Sequence, residues 1–186
     1  MKEKQNDLLF SQPKISVIIP IYNGGKYLNY SLKSVQEQQM KNIEIILVND
    51  NSDDDTSKII YNYMKYDKRI KLIENQENRR ILFCKSIGAL NARGKYIIEL
   101  DQDDKFIRDD TFNIVYNESE KYGLDMLHFK YKSGNNIYFN LSKINNINNE
   151  NIIMNQPELK LSIFKTNICV LWGNLIRDDL YKKVIL

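Results

Sequence analysis

The chain has 186 residues, 42% of them hydrophobic and 27% charged, with a net charge of +3. That is long enough for one domain with a real core, and its composition is ordinary for a soluble globular protein. Acids and bases are interspersed, which argues against a dedicated nucleic-acid binder with a clustered basic face. The two cysteines, Cys84 and Cys169, lie far apart and imply buried free thiols rather than a disulfide framework or zinc site. No run approaches the ~20 apolar residues of a membrane span. Residues 1–13 read as a disordered lead-in rather than a signal peptide, and 14–186 as a single domain.

Ile15 to Pro20, an apolar β-branched run, predicts a strand buried on both faces, with Pro20 stopping its pairing. A glycine-containing loop leads to a helix from Tyr27 to about Gln39, with Leu28, Leu32 and Val35 at helical spacing. Ile43 to Val48 is a second buried strand, followed by several possible N-caps and a helix bearing Ile59, Ile60, Tyr63 and Met64. Ile70 to Ile73 makes a third strand, and a helix from about Leu82 to Ala92 ends with Gly94 as C-cap. Tyr96 to Leu100 is the fourth strand, a helix spans about Asp110 to Tyr122, and Met126 to Tyr131 is a further strand. This alternation predicts an α/β fold, a Rossmann-like, mostly parallel sheet with helices on both faces. Beyond it, Lys143 to Gln156 reads as an exposed loop or small insertion, and Leu159 to Phe164 and Leu175 to Tyr181 as short helices around Trp172.

Acids sit where such a sheet binds ligands, beyond the carboxyl ends of its strands: Asp50 after the second, Asp101 and Asp103 after the fourth. Strand alternation would aim Asp101 and Asp103 at one object, with Gln102 and Asp104 elsewhere. Two carboxylates ~4 Å apart repel by about 1 kcal/mol in water and about 4 kcal/mol at an effective dielectric near 20. A divalent cation with oxygen ligands, Mn2+ or Mg2+, would offset that repulsion. A helix N-terminus decorated with acids is the plainer alternative, and Asp109 and Asp110 fit it.

Four motifs then fall in order along the chain: SVIIPIYNGGKYLNYSLKSVQEQ, IEIILVNDNSDDDT, NARGKYIIELDQDD and LWGNLIRDDLYKK. Together they resemble the family 2 glycosyltransferases, including their Asp-x-Asp strand end. The resemblance implies a GT-A fold and an inverting, hexosyltransferase-type enzyme. Its donor would be a nucleoside-diphosphate sugar, a UDP-sugar by default because an acceptor-only carboxylate suits a uracil N–H, with GDP- and TDP-sugars also used on this fold. Its acceptor would be a carbohydrate, glycolipid or protein hydroxyl, and its location the cytoplasm, including the membrane surface. Carried over by motif, Asp50 would hold the nucleobase, Ile19, Pro20, Tyr22 and Asn23 would wrap it, Asp101 would lie near ribose and metal, and Asp103 would be the direct metal ligand. Lys85 stands at a family arginine position and could face the diphosphate, with a solvated helix face as the equal alternative.

Departures matter as much. Asn49 replaces a usual acid, and Arg80 stands at a usual glycine, where a positive φ would strain it. The family's general base follows the tryptophan segment, and the chain reaches Leu186 before that motif, so the domain reads as incomplete at its C-terminus. Asp178 and Asp179 look like helix acids, and His128 and Trp172 like packing residues. No serine or cysteine has a histidine partner that would make a nucleophile. Two other classes stay open. One is a donor-binding domain without its base. The other is a nucleotidyltransferase, against which PIYNGGKY lacks a basic phosphate loop.

Overall fold

The computed structural model describes residues 12–128, 131–133, 136–138, 143–144 and 174–185. In chain order these form β1 (Ile15–Ile21), α1 (Leu28–Gln36), β2 (Ile43–Asn49), α2 (Thr56–Tyr66), β3 (Ile70–Glu74), α3 (Arg80–Leu90), β4 (Tyr96–Glu99) and α4 (Thr111–Tyr122). The short strands β5 (Met126–His128), β6 (Tyr131–Ser133), β7 (Asn136–Tyr138) and β8 (Lys143–Ile144) follow, then β9 (Asn174–Arg177) and α5 (Asp178–Ile185). One sheet has the order β3-β2-β1-β4-β9-β5-β8, and β6 pairs with β7 as a separate hairpin. Its first four strands are parallel. Beyond β4 the pairing turns antiparallel, with β9 inserted between β4 and β5.

Every residue of β1 and β2 is buried, which is why both read as unbroken apolar runs. Alternation divides each strand between two layers. Ile15, Val17, Ile19 and Ile21 join Leu28, Leu32, Ile60 and Phe112, from α1, α2 and α4, in one core. Ile18, Ile46, Val48 and Ile97 pack with Cys84, Ala89, Leu180 and Tyr181, from α3 and α5, in the other. Helices α1 to α4 have no side-chain hydrogen bond at their N-cap residues. Such a cap contributes about 1 kcal/mol, whereas each fully buried Ile or Leu contributes about 1.5–3 kcal/mol. Packing therefore holds these helices. The start of α4 is satisfied from elsewhere, its Phe112 N–H donating to Gln38 Oε1 at 3.1 Å.

Five expectations are corrected. Pro20 does not end β1, which stays paired with β2 through Ile21. In a parallel ladder alternate residues bond to alternate sides, and the Ile18 carbonyl accepts from Leu100 N–H on the β4 side. Pro20 shares that side, where the β4 ladder has already ended at Glu99, so its missing N–H costs nothing. Gly94 is not a C-cap: α3 ends at Leu90 with Asn91 as its C-cap, and a Cβ on Gly94 would sit 2.5 Å from Ser16 N. The run Leu175 to Tyr181 is not one helix, because Asn174–Arg177 fills the slot between β4 and β5 before α5 begins. Lys143 and Ile144 are an edge strand on β5 rather than loop, and Met126 to Tyr131 is split between β5 and β6. Residues 145–156, the run Leu159 to Phe164, Trp172 and Cys169 lie outside the described residues.

The amino-terminal end of the sheet is tied by one buried carboxylate. Glu44 accepts from Ser16 Oγ, Lys71 Nζ and Arg93 N–H, each at 2.6 Å. Burial opposes its charge, but these donors outweigh burial and hold the carboxyl below its ordinary 4.5. A depressed carboxyl stabilises the fold above the unfolded pKa, and the contribution disappears as pH falls through the folded value. We expect Glu44→Gln to flatten the loss of stability below about pH 4.5, measured as urea midpoint against pH. Identical acid limbs for both proteins would refute this role.

Candidate functional site

The chain passes from β1 outward to β2 and β3, then returns to β4 on the other side of β1. Loops leaving β1 and β4 therefore diverge, and an open sheet binds ligands at such a switch point. A cavity of about 330 Å³ lies there, lined among others by Pro20, Tyr22, Asp50, Arg80, Asp101 and Asp103. Five predicted residues thus converge on one space. Ile19 is fully buried and does not line it.

Asp50 follows β2 and is only 3% exposed. Its Oδ1 accepts from Asn75 Nδ2 at 2.7 Å and Arg79 N–H at 2.8 Å, and its Oδ2 from Arg80 N–H at 2.7 Å. Burial raises its pKa, but the bonds from Arg79, Asn75 and Arg80 outweigh it and hold the carboxyl below the usual range. The Cys84 thiol is a fourth hydrogen-bond partner of this carboxylate, so its roughly four acceptor sites are engaged within the protein. The same bonds fix Arg80 at φ 69°, the left-handed region. A non-glycine residue there costs roughly 1–2 kcal/mol, so the strain anticipated from the sequence is real and lies on the cavity wall.

The acids after β4 do not follow strand alternation, because the strand ends at Glu99. Asp101 to Asp104 form a turn closed by Asp104 N–H donating to the Asp101 carbonyl at 3.0 Å. Asp104 belongs to the acidic group: burial first, then the charges of Asp101 and Asp103, push its carboxyl up. Gln102 turns toward β1, where its Oε1 accepts from Tyr22 N–H at 2.9 Å and its Nε2 donates to the Tyr22 carbonyl at 3.1 Å. That reciprocal amide pair was not anticipated. Its only sequence signal is an amide side chain between the two acids.

Lys85 is neither on a solvated helix face nor on the cavity wall. It is 2% exposed, with Nζ 2.9 Å from Glu99 Oε2 and 3.6 Å from Asp101 Oδ1. Burial opposes its charge, while Glu99 and then Asp101 favour it and raise its pKa. Glu99 was missed, although an acid inside the apolar run Tyr96 to Leu100 signals a buried cation nearby. Cys84 lines the cavity, and burial, then the Asp50 charge, push its thiol up to about 12. It carries no thiolate at neutral pH.

Other candidates fall elsewhere. Asn23 is off the cavity wall and left-handed at φ 49°, latching its loop to the next: its N–H donates to Ser52 Oγ and its Oδ1 accepts from Asp53 N–H, each at 3.0 Å. Asn49 is a structural bridge, with Nδ2 donating to Ser57 Oγ at 2.9 Å and Oδ1 accepting from Ser52 N–H at 3.2 Å. Asp110 is gripped by Arg108 at 2.6 and 2.7 Å rather than capping α4. Asp178 N–H donates to the Lys95 carbonyl at 3.0 Å, at the opposite end of β4. At ~3.3 Å per strand residue, Asp178 and Asp179 are about 20 Å from the acidic turn, paired with Lys182 and Arg177.

A twisted α/β sheet, parallel through its first four strands and with acids gathered beyond β2 and β4, defines a protein of the GT-A class. The chain belongs to the family described as Glycosyl transferase family 2, whose model matches residues 16–185. It is 39% identical over 121 residues to an uncharacterized glycosyltransferase of Haemophilus influenzae, covering 65% of this chain and 48% of that protein. It is 36% identical over 111 residues to the GalNAc(5)-diNAcBac-PP-undecaprenol beta-1,3-glucosyltransferase of Campylobacter jejuni, covering 59% of this chain and 36% of that protein. S. aureus TarS 1–349 in complex with UDP is similar at a TM-score of 0.61 and 26% identity, over 69% of this chain and 38% of that one. The chain thus spans less than half the length of each. Among the described residues no helix is long and apolar enough to cross a membrane.

Proposed function

We propose that the cavity binds the nucleotide of a UDP-sugar and that the protein transfers the sugar to an acceptor hydroxyl. The observation that carries this reading is the convergence of Pro20, Tyr22, Asp50, Asp101 and Asp103 on one cavity at the switch point. The acceptor-only carboxylate of Asp50 suits a nucleobase N–H, taken in place of the weak Cys84 thiol donor, and the likeness to UDP-bound TarS supports uracil. The Campylobacter relative's lipid-linked substrate supports a glycolipid acceptor reached at a membrane surface.

A divalent cation fits the acidic turn through its chemistry. Asp101, Asp103 and Asp104 crowd one another, and their donors are all hard oxygens. Among the described residues no three Asp, Glu, His or Cys side chains form a metal-holding group. Asp103 and Asp101 would therefore hold Mn2+ or Mg2+ jointly with diphosphate oxygens. The bound cation would supply charge neutralisation on the departing nucleoside diphosphate. Asp50, Pro20 and Tyr22 would orient the nucleotide, and Gln102 would keep the loops after β1 and β4 together around it. All three carboxylates lining the cavity have donor-side roles in this reading.

Calorimetry with UDP tests the site. Wild type is expected to bind UDP more tightly with manganese than without. Asp103→Ala should weaken manganese-dependent binding at least about tenfold, the range for a lost charged contact. Equal binding with and without manganese, in both proteins, would rule the metal site out. Sugar transfer by the isolated chain would separate an enzyme from a donor-binding domain.

A further inference from the structure

Glu99 is the last residue of β4, paired in register with Ile18 at the centre of the sheet, and its side chain is 1% exposed. Lys85 reaches it from α3 with a side chain 3% exposed. Neither Glu99 oxygen has an aligned hydrogen-bond partner among the described residues, nor has Asp101 Oδ1. Among the described residues the Lys85 ammonium is what holds this group. A buried ion pair of this kind is weak evidence for stability, because apolar replacements of similar volume are often neutral or stabilising. The pair therefore needs another explanation, and its neighbour supplies one. Lys85 Nζ lies 2.9 Å from Glu99 but 3.6 Å from Asp101, whose side chain is 26% exposed.

We propose that Glu99 and Lys85 are positioning residues: Lys85 anchors the inner oxygen of Asp101, and Glu99 holds Lys85 back so that the aspartate keeps its charge toward the cavity. This inference rests on the reading of Asp101 as a donor-site residue. Without Glu99, the ammonium would have one carboxylate left and would pair closely with it. Asp101 would then turn inward and be neutralised. Without Lys85, nothing among the described side chains would fix the buried oxygen of Asp101.

Calorimetric binding of UDP in the presence of manganese tests this with four variants. Glu99→Gln keeps the shape and removes the charge. Its affinity is expected to fall about 10–100-fold, the range for residues that orient a metal ligand. The double variant Lys85→Met with Glu99→Leu removes the pair, and should melt no lower than wild type yet bind equally weakly. Asp101→Asn should bind weakly, and adding Glu99→Gln to it should cause no further loss, since both act through one carboxylate. Wild-type affinity in Glu99→Gln or in the double variant, with Asp101→Asn weakened, would overturn the proposal and leave the donor site standing. Wild-type affinity in Asp101→Asn would overturn the donor-site reading and this proposal with it.

Discussion

Gly94→Ala is expected to be the most destabilising single methyl that can be added near the sheet. The new Cβ would meet Ser16 N at 2.5 Å and Ile15 C at 2.8 Å, both backbone atoms of the central strand. A flexible side chain could swing aside, but a strand paired on both edges cannot. The displacement would also pull Gly94 N–H from Ser16 Oγ, now at 2.8 Å, and disturb the Glu44 cluster. Overpacking costs 1–3 kcal/mol and occasionally more, and a backbone clash belongs at the upper end. At 2–4 °C per kcal/mol for a domain of this size, the melting temperature should drop by about 10 °C. A melt within a degree or two of wild type would mean that β1 and the start of β4 separate easily.

Asp50→Asn should lower donor affinity although it is isosteric. Asparagine offers one acceptor oxygen where Asp50 serves Asn75, Arg79 and Arg80, and its NH₂ would face at least one of those donors. Hydrogen bonds to a charged group contribute about 1.5–3 kcal/mol each, so UDP affinity should fall at least about tenfold. The loop holding Arg80 at φ 69° should loosen as well, because those bonds oppose its strain. Titration with UDP reads the first effect, and amide exchange at Arg79 and Arg80 reads the second. Unchanged affinity would remove Asp50 from the nucleotide site, whatever happens to the loop.

How far the sequence discloses this molecule depends on the range of the interaction. Strands β1 to β4 were legible within about two residues: β1 and β2 are buried throughout and read as unbroken apolar runs, while β3 is buried only at Ile70. The gathering of Asp50, Asp101 and Asp103 at one cavity was legible because carboxyl ends of parallel strands converge at a switch point. Strand β9 was not. Within Asn174 to Arg177, Leu175 and Ile176 are buried, and the extended form comes from the slot between β4 and β5. The pairing of Lys85 with Glu99 is equally non-local. Helical position alone left the lysine equally suited to solvent or diphosphate, and only the packing of α3 onto β1 and β2, which brings Lys85 to Glu99, decides. The turn of Asp101 to Asp104 shows the reverse error: alternation was extended past the point where the ladder ends.

Pro20 and Gln102 together have a mechanical consequence. On the β4 side of β1 the last ladder bond joins Leu100 to Ile18, and the next main-chain tie would need the N–H that proline lacks. Gln102 restores a bridge one step later, at Tyr22. The cleft is thus an omitted rung between two intact ones, and the opening is braced like a slot cut in a beam. Its width is set by covalent chemistry at one residue and by an amide splint at another. It does not depend on a loop being propped open.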